Sequence, residues 1–244
     1  SSWGSQKWNF KCCDAPDKVR KYLYRLSGDF HNMRIVDLGN VNVKDDQSPV
    51  SAVTDVVSIL VESGKKVVII GGTDNCNLPI LKGMSQSIEK INFVKVDSLI
   101  TLSGEDELQK SGGILSNFDE IANIEQVDCI DVLGYQTYLC SDDKIARADD
   151  QQICFTRLAD VQDNVQCIEP LLRDNDFFSI STRAVRSSDM PLSLPMPNGL
   201  YAEEACHLAK LAGLSDRTSV FYISDITVDS DCELAFALSA QIVW

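Results

Sequence analysis

The sequence has no apolar run approaching the roughly 20 residues needed to cross a bilayer, so no membrane span is expected. It has no Cys-x-x-C pair and only two histidines, His31 and His207, which leaves too few nitrogen and sulfur ligands in metal-site spacing for a zinc centre. Nor is there an excess of positive charge. Lys and Arg number 22 against 36 Asp and Glu, a net charge of −14, and phosphate recognition needs clustered cations, so nucleic acid is not an expected partner. Internal repeats, low-complexity tracts and linkers are missing too, which excludes solenoids and argues for one domain across residues 1–244. No signal-peptide pattern opens the chain. A start at Ser1-Ser2-Trp3-Gly4 and an end inside an apolar helix predict that the natural protein extends beyond both. The nine cysteines are odd in number and scattered, Cys12-Cys13 apart, which fits reduced thiols in a cytoplasmic compartment.

What is present is an ordinary globular composition, 44% hydrophobic and 24% charged. Asp14 and Pro16 mark a helix start, Val19, Tyr22, Leu23 and Leu26 follow at helical spacing, and Gly28 stops it. Strands are predicted over 33–38, 67–70, 91–96, 129–133, 153–157 (an edge strand), 176–181 and 219–226. Helices are predicted over 51–63, with Val53, Val56, Val57, Leu60 and Val61 inward, and over 78–88, 159–172, 202–211 and 232–244. Residues 99–113, with three glycines, read as a long loop. Strands alternating with helices predict an α/β fold: three layers around a mostly parallel sheet. The all-apolar Val67-Val68-Ile69-Ile70 points the same way, since a strand covered on both faces has no polar side.

In such folds ligands bind beyond the carboxyl ends of the strands. The stretch 178–199 leaves a buried strand and runs through Pro191, Pro195 and Pro197 to Asn198-Gly199, a stiff loop placed where a site would lie. Four strand ends stand out: Gly71-Gly72-Thr73-Asp74-Asn75; Asp97-Ser98-Leu99-Ile100-Thr101; Ser179-Ile180-Ser181-Thr182-Arg183, with Arg186 beyond; and Ser224-Asp225. In order and spacing they resemble the arginase/agmatinase/formimidoylglutamase (ureohydrolase) family, and most of all its formimidoylglutamase-like branch. That family carries G-G-D-H-S, then D-A-H-x-D, then S-x-D-x-D before a proline-rich loop, then a late acidic residue. Residues 19–23, 130–138 and 198–204 resemble three further family segments, whereas the family's first strand with its G-V-P motif is not found.

The resemblance implies an arginase-like fold and a pair of Mn²⁺ ions activating a hydroxide for hydrolysis of linear amidine or guanidine C–N bonds. Carried over residue by residue, the six ligand positions fall on Asp74, Asp97, Leu99, Thr101, Ser181 and Arg183; Arg186 and Asp225 match acidic positions outside the six. Thr73 and Asn75 flank Asp74. Leucine cannot ligate, Ser and Thr are weak neutral donors, and Arg183 carries a fixed positive charge. The expectation is therefore a metal-free vestigial pocket, with no catalytic residue and no cofactor, in which Arg183 bonds Asp74, Asp97 or both, the alternative being an Arg183 that points to solvent from a collapsed loop. The implied function is that of a pseudoenzyme acting through protein partners or as a homo-oligomer. The alternatives are an active amidine or guanidine hydrolase, and a small-molecule sensor using Arg183 or Arg186 to hold a carboxylate.

Other features read as structural. Gly71-Gly72 lacks the rest of any phosphate-loop motif. Cys76 beside Asp74 has no histidine base in reach, which favours a buried thiol. His207 falls on a helix, His31 in a polar turn, and Glu105, Asp106, Glu107 and Asp119 form an acidic, solvated group.

Overall fold

Six strands form one fully parallel sheet in the computed structural model, in the order β1-β6-β5-β2-β3-β4. The structure describes residues 14–28, 33–41, 48–99, 118–140, 153–193, 195–227 and 233–244. The strands are β1 (Val67–Ile70), β2 (Ile91–Val96), β3 (Val127–Tyr135), β4 (Ile153–Arg157), β5 (Phe177–Ser181) and β6 (Val220–Ser224). The helices are α1 (Ala15–Leu23), α2 (Pro49–Glu62), α3 (Asn77–Met84), α4 (Phe118–Ala122), α5 (Leu158–Asp163), α6 (Val165–Arg173), α7 (Ala202–Gly213) and α8 (Glu233–Val243).

Alternation along the strands divides the core in two. Val94 and Val96, Phe178 and Ile180, and Ile223 face the layer made by α1, α5, α6, α7 and α8. Phe93, Phe177, Val220 and Tyr222 face α2, α3 and α4. Phe93 and Phe177 stack there at 4.7 Å, a pair worth about 0.5–1.5 kcal/mol beyond the area it buries. Gly83 lets α3 approach α2 closely, since a Cβ at that position would come within 2.6 Å of the Thr54 carbonyl. The expected three-layer α/β arrangement is therefore present, and β4 is an edge strand as anticipated.

Several elements differ from the sequence expectations. Residues 33–38 form no strand; they run without regular structure, held to α1 by Asp37, which accepts from Arg20 Nε at 2.7 Å and from the Tyr24 hydroxyl. The α2 helix buries Ala52, Val57, Ser58 and Val61, while Val56 points outward, because the stripe meeting α3 is rotated toward the small residues. The 159–172 helix breaks into α5 and α6 at Asn164, whose φ of −149° is not helical. The α3 helix ends at Met84 rather than near Ile88. Strand β3 runs through Gly134, at φ +88°, to Tyr135. Beyond residue 99 the 99–113 loop lies outside the described residues, as do Thr101, His31, Cys12, Cys13, Glu105, Asp106, Glu107 and the side chain of Asp119.

Candidate functional site: a buried charge cluster at the strand ends

Register places the site. Ile70 pairs with Ile223, Ile223 with Ile180, and Ile180 with Val96, so Gly71, Ser224, Ser181 and Asp97 follow at one level. One step earlier Lys95 pairs with Ser179, and Ser179 with Tyr222. Alternation then stacks Phe93, Lys95 and Asp97 on β2 beside Phe177, Ser179 and Ser181 on β5. All point toward the α2–α3 layer, so the column is apolar at the bottom and charged at the top. After β1, Gly71 and Gly72 take φ of +89° and +83°, a left-handed pair that turns the chain into the short 3₁₀ turn Asp74–Cys76. Asp74 is thereby carried back over the strand ends.

Five charged side chains meet there, none more than 4% exposed. Lys95 Nζ lies 2.5 Å from Asp74 Oδ1 and 3.2 Å from Asp97 Oδ2. Arg183 Nη2 donates to Asp97 Oδ2 at 2.8 Å and lies 3.5 Å from Asp225 Oδ2. Its Nε donates to Ser181 Oγ at 3.1 Å, and Ser181 Oγ donates to Asp225 Oδ2 at 2.8 Å. Asp225 also accepts from Ser224 Oγ at 3.0 Å and from the Asp74 amide at 3.2 Å. Its backbone sits at φ +62°, a conformation Asp tolerates better than most residues, and the turn aims its carboxylate inward. Asn77 Nδ2 donates to Asp74 Oδ1 at 2.6 Å, and the Leu99 amide donates to Asp97 Oδ1 at 3.2 Å.

Burial alone would raise the Asp97 carboxyl, but Arg183 and Lys95 outweigh it and hold Asp97 below the usual carboxylate range. Burial likewise opposes the charged forms of Lys95 and Arg183, and the surrounding carboxylates reverse this and raise both. Asp74 goes the other way: burial pushes it up, with Asp97 and Asp225 adding to the push, despite the opposing pull of Lys95. The two directions across the Asp74–Lys95 contact are reconciled by counting charge. Three carboxyls face two cations, so one carboxyl is in excess. Asp74, whose Oδ2 has no hydrogen-bond partner, is the one that burial pushes up.

The structure brings Asp74, Asp97, Ser181, Arg183 and Asp225 into one network, with Thr73, Asn75 and Leu99 on its flanking turns. The Arg183 contact expected with a carboxylate is made with Asp97, whereas Asp74 takes Lys95. Arg186 stands apart: its guanidinium stacks 3.8 Å from the centre of the Tyr201 ring and its Nε lies 3.0 Å from Asp189. His207 is exposed on α7, and burial pushes the Cys76 thiol up to about 11, which keeps it unreactive. Sequence reasoning missed Lys95 and Asn77, and gave Ser224 on its strand end no role. Lys95 had left a signal, because a single lysine inside the otherwise apolar run Phe93-Val94-Lys95-Val96 must find carboxylates once both faces of its strand are covered.

The model of the Arginase family matches residues 8–189. The chain belongs to the arginase family. Its fold is that of solved arginase-family proteins. Trypanosoma cruzi formiminoglutamase, determined with Mn²⁺, superposes with a TM-score of 0.82 at 18% identity, covering 95% of this chain and 83% of that one. The formimidoylglutamase of Bacillus subtilis gives 0.81 at 17% identity, covering 95% and 79%. The agmatine ureohydrolase of Thermoplasma volcanium gives 0.73 at 19%, covering 94% and 80%. No curated protein matches the sequence.

Manganese is the metal this family implies, and the donor set at these strand ends does not suit a pair of such ions. Asp97 Oδ2, an oxygen a metal would need, already faces Lys95 Nζ and Arg183 Nη2. Ser181 Oγ is engaged with Arg183 and Asp225. Two fixed cations in the cluster would repel four further positive charges at close range. Among the described residues no three His, Cys, Asp or Glu side chains are grouped to hold a metal ion.

Proposed function

We propose that this arginase-family chain is catalytically inactive and serves as a binding or assembly subunit, with Lys95 and Arg183 standing in for the metal charge that the fold otherwise holds. One observation carries the reading: both cations converge on Asp97 Oδ2, at 3.2 and 2.8 Å, inside a sealed site. A hydrolytic site needs its carboxylates free for a metal and an opening for water and substrate. Here the carboxylates are spent on side chains of the same chain. The frame is retained while the chemistry is replaced, which leaves recognition of other proteins as its use.

A sensor role would need Arg183 or Arg186 available to an incoming carboxylate. Arg183 is committed to Asp97, Asp225 and Ser181, and Arg186 to Asp189 and Tyr201, so this reading has less support. Free thiols at Cys76, Cys129, Cys167 and Cys206 accord with a reducing, cytoplasmic setting. Among the described residues no helix is long and apolar enough to cross a membrane.

The test is elemental analysis of the protein purified in excess manganese, with assays for urea or formamide release from arginine, agmatine and formimidoylglutamate. The expected result is far less than one manganese per chain and no release. Two manganese per chain with turnover would restore the hydrolase.

A further inference from the structure

The margin of the sheet at β1 carries an unused surface. Strand β1 pairs with β6 on one side, and among the described residues nothing pairs with its other side. Residues 33–41 form an arm without regular structure, and no backbone–backbone hydrogen bond joins the arm to another described residue. The arm is fastened by its polar side chains. Asp37 accepts from Arg20 and Tyr24 and from the Gly39 amide, and Asn40 accepts from Arg20 at 2.6 Å. Its apolar side chains turn to water: Met33, Ile35, Val36, Leu38 and Val41 are 50–73% exposed, and Val68 on β1 is 51% exposed. Arm and strand hold six of the fourteen large apolar side chains exposed among the described residues, although they span only 13 residues. Five of the six lie on the nine-residue arm, and so dense a group of exposed apolar side chains marks a binding surface rather than ordinary scatter.

We propose that this margin is a two-fold self-association surface, in which the arm of one copy lies along the β1 edge of a second copy and the exchange is reciprocal. Three observations select a second copy as the occupant. First, the chain supplies both halves of the contact: an apolar segment and a strand edge that, among the described residues, have no backbone–backbone partner on these sides. Within one chain the two are not hydrogen-bonded, and Asp37 keeps the arm on α1. Second, the six side chains offer on the order of 600 Å² of apolar surface, against about 800 Å² per partner in a stable interface, and main-chain pairing along β1 adds the remainder. Third, the local charge permits it. The chain as a whole carries −14, a balance that opposes self-association, but residues 14–70 hold eight Lys and Arg against eight Asp and Glu, so this stretch is neutral.

The interface uses none of the five clustered charges and does not depend on whether the chain hydrolyses anything. Its test is hydrodynamic. The full chain is followed by analytical ultracentrifugation over a wide concentration range, beside Ile35→Asp/Leu38→Asp, Val68→Lys and, as a control far from the margin in sequence, Leu214→Asp. All four positions are exposed, and circular dichroism with thermal melting checks that each variant folds. The expected result is a dimer for the parent chain and the control, with dissociation constants raised about tenfold or more in the two margin variants. A parent chain that stays monomeric throughout would assign the margin to a different protein or to another segment of this chain, and overturns the proposal. A dimer that both margin variants leave intact overturns it equally.

Discussion

Two regions of this molecule treat their side chains in opposite ways. At the carboxyl ends of β2, β5 and β6, five charges are enclosed and each faces an opposite charge. At the β1 margin, large apolar side chains stand in water while the polar atoms beside them do the fastening. The cluster pairs its charges within the chain, whereas the margin leaves apolar side chains in water. In a protein that keeps an enzyme frame, this contrast moves the place to look for function from the pocket to the edge.

The largest effect should come from breaking the enclosed cluster on one side only. Arg183→Met or Lys95→Met leaves a buried carboxylate without its counter-charge, at an expected cost of about 3–5 kcal/mol in urea unfolding. Adding Asp74→Asn to Lys95→Met should recover part of that loss, since a lone buried charge is worse than none; a double-mutant cycle measures the coupling. An additive result would mean that the two groups do not share a site. Next comes Arg186→Ala, which removes a half-exposed stack on Tyr201 and a surface ion pair, expected to cost about 1 kcal/mol and so to separate the two arginines by their surroundings.

Smaller still, Ile35→Asp/Leu38→Asp should change the stability of the monomer by no more than about 0.5 kcal/mol, since both side chains are already hydrated. Finally, the Asp37 carboxyl is held at about 2, below its ordinary 3.8, first by the Tyr24 hydroxyl and then by the Gly39 amide and Arg20. Its folded value is depressed, so the anchoring it gives the arm is present above pH 4 and is lost as pH falls toward 2. Limited proteolysis with an acid-active protease should show the arm opening over that range, and Asp37→Asn should remove the pH dependence.

Much of this was legible in the chain. The all-apolar β1, the alternation of strands with helices and the four strand ends sufficed for the layered parallel sheet and for Asp74, Asp97, Ser181, Arg183 and Asp225 as neighbours. Two kinds of residue escaped. Lys95 went unnoticed because the sequence does not say which carboxylates its ammonium meets once its strand is covered. Residues 33–38 looked like a strand, because alternation reports what a segment is able to bury and not whether a neighbour is there to bury it. Arg186 matched a family position, yet its side chain found Tyr201 and Asp189 first.

The order of residues alone determined where strands end and which side chains arrive there, since backbone periodicity and chain direction are local properties. Tertiary packing decided which charges meet. Whether Lys95 faces Asp74, or Arg183 faces Asp97, depends on distances between strands far apart in the chain, and Coulomb energy in a sealed space changes steeply over an ångström. The same packing left β1 with no partner on one side among the described residues, a property of the sheet as a whole that belongs to no residue in it.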